Sequence, residues 1–120
     1  MSIKSFTELR VYQATMEATA TVYAVTEQFP REERYGVISQ MRRAVVSIGC
    51  NIAEGFGRRH PRDKANFYNI AFGSTEELKH LYRVCERVKL LPAIDAPLQQ
   101  MESISKMLNR LTACVLGDLR

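Results

Sequence analysis

The sequence predicts an all-α fold, an antiparallel up-down-up-down four-helix bundle made by a single domain over residues 1–120. Three observations carry that expectation. Apolar residues recur at steps of three and four in four separate segments, prolines and one glycine pair divide those segments, and no stretch alternates as a half-buried strand would. A chain of 120 residues that is 46% apolar can bury one hydrophobic core but not two. Its connections are short, so successive helices should run antiparallel.

The first helix is expected over about residues 5 to 28, with Val11, Ala14, Ala18, Val22, Val25 and Phe29 on one core-facing stripe. Leu9, Tyr12, Met16 and Tyr23 form a second apolar set on another face, more than one seam can cover, so something must pack on it. Pro30 ends the periodicity and suits a first helical turn, where its missing N–H needs no partner; Glu32 and Glu33 favour the positive end of the new helix. The second helix then runs to about Gly55 along Ile38, Met41, Val45, Ile48 and Ile52. Gly55 and Gly57 are expected to let the backbone leave it through positive φ, with Arg58-Arg59-His60 as the connection. Pro61 opens the third helix, Asp63 lies near its start, and Phe67, Ala71, Ser74, Leu78, Leu81, Cys85 and Val88 keep a heptad rhythm. Residues 91–97 read as a turn, with Asp95 as N-cap and Pro97 confined to the opening turn of the fourth helix. That helix carries Leu98, Met101, Ile104, Leu108, Leu111 and Val115.

No stretch approaches the roughly 18 apolar residues of a membrane span, and Met1-Ser2-Ile3-Lys4-Ser5 lacks the apolar run of a signal peptide, so a cytoplasmic protein is expected. Cys50, Cys85 and Cys114 show no paired spacing and are odd in number, which reads as buried reduced thiols. Net charge is +4, and all of the excess falls between residues 42 and 64, where Arg42, Arg43, Arg58, Arg59, Arg62 and Lys64 face only Glu54 and Asp63. Charge focused in this way can hold a polyanion; it also suits a solvated face.

On the second helix, Gln40, Arg43, Ser47, Asn51, Glu54 and Arg58 share one side. Ser47 and Asn51 are poor helix formers, so tertiary contacts should hold them. Two readings stand together: a hydrogen-bonded network that fixes register, with Ser74 and Glu77 of the third helix, or a ligand or nucleic-acid site to which Arg43 and Arg58 point outward. The run from Gly55 to Lys64 could seat phosphate on its arginines and on the free N–H groups that start the third helix, and Phe56 could stack on a base. Neither a Walker loop nor a dinucleotide fingerprint is present. Lys79, Arg83, Arg87, Lys106 and Arg110 are expected to pair with Glu76, Glu86 or Glu102 in water, and Tyr68, Phe72 and Tyr82 to belong to the core or an interface. Catalysis finds little support. His60 and His80 lack partners at metal-ligand spacing, and Glu77-Leu78-Lys79-His80 supplies one Glu-x-x-His where a di-iron bundle needs two, so no metal, cofactor or catalytic residue is expected.

Phe29-Pro30, Glu33-Arg34-Tyr35-Gly36, Gln40, Arg43-Ala44, Ser47-Ile48, Asn51-Ile52-Ala53-Glu54-Gly55, Gly57-Arg58, Phe67, Ala71, Gly73-Ser74 and Glu77-Leu78 resemble the four helix bundle proteins. These are the bacterial 23S rRNA intervening-sequence proteins, a family that includes accessory variability proteins of diversity-generating retroelements. The resemblance covers roughly residues 6 to 82, and Ser-Ile-x-x-Asn-Ile-Ala-Glu-Gly is its specific stretch. It implies an antiparallel four-helix protomer, a homopentamer, no enzymatic activity and, in the retroelement branch, a basic surface for nucleic acid and a reverse transcriptase. Carried onto this chain, Gln40, Ser47, Asn51, Glu54 and Ser74 become structural polar positions, and Arg42, Arg43, Arg58, Arg59 and Arg62 candidate contacts. Five copies would carry about +20, and association with a polyanion grows with such charge. The function expected is therefore a non-enzymatic, oligomeric bundle that binds RNA or DNA through its basic segment; the alternative is a protein adaptor that docks a partner enzyme.

Overall fold

A computed structural model describes residues 2–117, which form four α-helices: α1 Arg10–Glu27, α2 Ser39–Gly57, α3 Pro61–Arg87 and α4 Asp95–Gly117. Residue pairs across the seams fix their directions. From α2 to α3, Gly55 meets Tyr68, Ser47 meets Ser74 and Met41 meets Cys85, so one number falls as the other rises. Thr26 of α1 meets Arg42 while Thr15 meets Gly49, Lys79 of α3 meets Glu102 of α4, and Gln100 of α4 reaches back to Thr21. The helices thus form the antiparallel up-down-up-down ring that the short connections predict, with α1 and α4 closing it. Among the described residues there is no strand, and no helix is long and apolar enough to cross a membrane.

The core is built from the predicted stripes. Val22, Met41, Val45, Ile48, Ile52, Leu78, Met101, Ile104 and Leu108 are fully buried, and each side chain of this kind removed from water contributes about 1.5–3 kcal/mol. Polar residues extend the stripe of α1. Thr15 and Thr26 lie in the core because each hydroxyl donates to the carbonyl one turn back, of Val11 and Val22, both at 2.7 Å; Thr75 does the same to Ala71. On α3 the inward face at the N-terminal half is set by Ala65, Tyr68 and Thr75 rather than by Phe67 and Ser74, which are half-buried, and Val88 is exposed. The helix packs on both α2 and α4, so its buried face is wider than one seam. Tyr68 and Tyr82 are core residues, as expected, but the Tyr82 hydroxyl and Ser105 Oγ are buried without a hydrogen-bond partner.

Four local expectations change. α1 starts at Arg10, not near Ser5, because Ser5 and Glu8 form a capping box around a separate 3₁₀ turn, Phe6–Glu8, and Leu9 is extended and tucked into the core. After Pro30 the chain makes a 3₁₀ turn, Arg31–Glu33, and a wide π turn, Arg34–Ile38, with Gly36 outside helical geometry, before α2 begins. No described glycine has positive φ; α2 continues through Gly57 and ends on extended Arg58. Gly55 serves packing instead, since a Cβ there would lie 2.6 Å from Tyr68 Cε1. The left-handed residue is Lys89, φ 66°, which closes α3 with Leu90 N–H donating to the Cys85 carbonyl and Lys89 N–H to that of Glu86. Finally, Cys85 is buried but Cys50 and Cys114 are exposed. Cys50 sits two residues from both Ile48 and Ile52 and so points away from their stripe. Cys114 lies one turn past Leu111, at the open end of the bundle beside Leu9 and Arg10.

Candidate nucleic-acid interface

The basic segment is contiguous in sequence and divided in space. Arg42 and Arg58 are sixteen residues apart on and just beyond α2, about 24 Å at 1.5 Å per residue, and stand at opposite ends of the bundle. Arg42 is committed to α1. Its Nε donates to Thr26 Oγ1 at 2.9 Å, its outer nitrogen meets Glu27 at 3.3 Å, and its guanidinium lies 4.5 Å over the Tyr23 ring. Lys64 is likewise structural: it donates to the Phe56 carbonyl at 2.7 Å and the Gly55 carbonyl at 3.4 Å, so its charge caps the C-terminal end of α2. The same ammonium sits 5.3 Å over Phe56, whose half-buried ring is therefore taken up by the fold rather than offered to a base.

Apart from the exposed Arg43, the accessible charge of the basic segment lies on the α2–α3 connection. Arg58 is half free, paired with Glu54 at 3.3 Å and stacked 4.7 Å over Phe67. Arg59 and Arg62 are exposed, and among the described residues neither has an ionic partner. Part of the expected phosphate seat at the start of α3 is filled, because His60 Nδ1 accepts from the Arg62 backbone N–H at 3.2 Å.

Arg43 faces a third direction. With Gln40, Ala44, Ser47, Ser74 and Glu77 it lines a polar groove of about 410 Å³ between α2 and α3. Of the polar residues expected to fix register, three hydrogen-bond to one another: Asn51 Nδ2 donates to the Ser47 carbonyl at 2.8 Å and to Ser47 Oγ at 3.1 Å, and Ser47 Oγ shares a 3.0 Å hydrogen bond with Ser74 Oγ, while Gln40 and Glu77 take no part. Those three side chains are half-buried, while Gln40, Glu54 and Glu77 are exposed, so the network tethers two helices at the edge of the core and not inside it. Of the cations expected to pair with Glu76, Glu86 or Glu102, Lys79 does so, bridging Glu76 at 2.9 Å and Glu102 at 3.2 Å, whereas Arg83, Arg87, Lys106 and Arg110 have no ionic partner among the described residues. Burial alone would lower the Lys79 ammonium, but hydrogen bonds and charge from both carboxylates raise it overall.

Two arginines escaped the sequence reading. Arg31 and Arg34, on the turns between α1 and α2, line one cavity of about 390 Å³ with Arg42, Thr26, Glu27, Phe29 and Ile38. Glu32 and Glu33 beside them balance the local charge in sequence, which hid the cluster; in space Glu33 turns half-buried toward Gly36 and does not line the cavity. Among the described residues no group of three or more His, Cys, Asp or Glu side chains is placed to hold a metal ion, and His80 is exposed.

Residues 7–110 match the family of the 23S rRNA-intervening sequence protein, which carries the likeness through α3 and most of α4. No curated protein matches the chain. Among solved structures it is similar to a protein of unknown function from the S23 ribosomal protein family of Bacteroides thetaiotaomicron VPI-5482, with a TM-score of 0.78 over 85% of this chain and 94% of that one, at 20% identity.

Proposed function

The chain belongs to the 23S rRNA-intervening sequence protein family, and we propose that it is a non-enzymatic, self-associating bundle that binds RNA or DNA through the phosphate backbone. The observation that carries this reading is the α2–α3 connection, where Arg59 and Arg62 are exposed without ionic partners and Arg58 is only partly engaged. Guanidinium forks left free in this way pair with phosphate in two-point fashion, and such contacts supply affinity without sequence choice. Arg42 and Lys64 are excluded from the binding set because their charges already serve the fold.

Self-association is supported by the α1–α2 face. Part of the surplus apolar set is covered within the protomer, Leu9 by the core and Tyr12 by an edge-on contact with Phe6 at 4.9 Å. Met16, Tyr23 and Val46 remain 50%, 42% and 43% exposed, and Met16 and Val46 flank an apolar groove of about 330 Å³ that reaches Cys50 and Ala53. Copies that meet there would hide this surface and multiply the number of basic connections offered to one polyanion. A homopentamer is the stoichiometry we propose, in a cytoplasmic protein.

Fluorescence anisotropy with labelled single-stranded and duplex RNA and DNA at low salt tests the reading. Binding to the wild-type chain, weakened at least about tenfold when Arg58, Arg59 and Arg62 are changed together to Ala, is expected. Absence of binding to all four ligands rejects it. Capture of a protein partner that survives nuclease treatment, with no nucleic acid bound, would favour an adaptor instead.

A further inference from the structure

The basic connection at the α2–α3 end leaves the opposite end of the bundle unexplained. There the end of α1 and the turns into α2 enclose the cavity of about 390 Å³ already described, lined by Thr26, Glu27, Phe29, Arg31, Arg34, Ile38 and Arg42. Three guanidiniums therefore border a space that only one carboxylate shares. Glu27 is engaged by Arg42, whereas Arg31 and Arg34 are exposed and, among the described residues, have no ionic partner.

Like charges brought together around a concavity repel unless an anion sits between them; Glu27 offsets the charge of Arg42, and those of Arg31 and Arg34 are left without an ionic partner among the described residues. Arg42 gives the site a fixed wall: Thr26, Glu27 and the Tyr23 ring hold its guanidinium in place, so it adds a stationary positive charge while Arg31 and Arg34 supply the free donors. Arg31 and Arg34 project from irregular 3₁₀ and π turns rather than from a regular helix, and both line the cavity. Phe29 and Ile38 add apolar surface to the lining.

We infer that this cavity is a second phosphate site, and that it takes a backbone phosphate of the nucleic acid bound by the chain. The inference rests on the proposed function for the identity of the ligand and on the arginine geometry for the site. It moves the protein from one basic loop to two basic ends, about 24 Å apart along α2, each able to seat a phosphate.

Two measurements separate this site from the functional reading. The salt dependence of binding to a labelled 20-nucleotide RNA is measured for the wild type, for Arg31→Gln with Arg34→Gln, and for Arg59→Gln with Arg62→Gln. The Arg31/Arg34 pair should make the slope of log K against log salt shallower by about 1.4, two contacts at roughly 0.7 each for a single strand. An unchanged slope and affinity in that pair, with loss in the Arg59/Arg62 pair, overturns the second site and leaves the proposed function standing. The second measurement follows the arginine Nε–H NMR signals of the wild type as inorganic pyrophosphate is added. Selective shifts of Arg31 and Arg34 support the site; no shift in either, together with unaltered RNA binding by the Arg31/Arg34 pair, rejects it. If no form binds RNA, the functional reading fails, and pyrophosphate shifts would then assign the cavity to a free phosphate ligand, which overturns the inference as stated.

Discussion

Gly55 offers the sharpest test of how α2 and α3 are held together. An alanine there would place its Cβ 2.6 Å from Tyr68 Cε1, 2.9 Å from Tyr68 Cδ1 and 3.1 Å from Phe67 Cβ. The Tyr68 ring is 1% exposed and has no free space to swing into, so the helices must part or the ring must leave its rotamer. Overpacking of this kind costs about 1–3 kcal/mol, and a clash this close belongs at the upper end; the better helix propensity of alanine returns about 1 kcal/mol. The net for Gly55→Ala is a loss of about 1–2 kcal/mol. Gly73→Ala is the internal control, because Gly73 lies inside α3 and a Cβ there meets nothing within 4 Å. That variant should gain about 1 kcal/mol from propensity alone. Urea denaturation followed by helical ellipticity, at one fixed protein concentration so that self-association does not shift the comparison, should separate the two variants by about 2–3 kcal/mol. Equal stabilities would show that Gly55 is not packed as described and would refute the close α2–α3 approach.

Three further outcomes follow from individual side chains. Lys89→Gly should raise stability by about 1 kcal/mol, roughly 3–6 °C in Tm, because the left-handed turn that ends α3 suits glycine better than a residue with a Cβ; calorimetry reads it. Tyr82→Phe and Ser105→Ala each remove a buried hydroxyl that has no partner, so in chemical denaturation each should be neutral or stabilising by up to about 1 kcal/mol, against the usual loss for a core change. Burial pushes the Tyr82 hydroxyl up to about 12, with a smaller push from Cys85, and burial, aided by Glu33, pushes the Cys85 thiol up to about 11. Both groups hold their protons more tightly when folded, so their contribution is complete below about pH 9 and is lost as pH rises through 9 to 12. The urea midpoint should therefore fall steeply over that range, and Cys85 should resist a thiol reagent at pH 8 until the chain unfolds while Cys114 reacts in the native protein.

The helical stripes and the polar tether were legible because each obeys a local periodicity: Met41, Val45, Ile48 and Ile52 are core by spacing, and Ser47, Asn51 and Ser74 meet because two antiparallel helices bring their polar edges together. What escaped the sequence was three-dimensional. Threonine counts as polar in a pattern, yet Thr15, Thr26 and Thr75 are core residues once their hydroxyls bond back along the helix. Glycine near a helix end reads as a chain-reversal signal, but Gly55 is demanded by the Tyr68 ring from the next helix, while the reversal after α3 falls on Lys89, a residue no turn rule selects. Charge density along the chain misplaced the basic surface for a related reason. A helix carries residues sixteen positions apart to opposite ends of the molecule, so Arg42 parts from Arg58 and joins Arg31 and Arg34, whose charge Glu32 and Glu33 had masked in sequence.

The proposed function rests on arginines at the α2–α3 connection that the fold leaves free to meet a polyanion. Its most direct test is the affinity of the wild-type chain for single-stranded RNA measured across a series of salt concentrations. If Arg58, Arg59 and Arg62 each seat a phosphate, log K should fall linearly with log salt with a slope of about −2 or steeper, at roughly 0.7 for each contact. An affinity independent of salt, or no association even at the lowest salt, would contradict it.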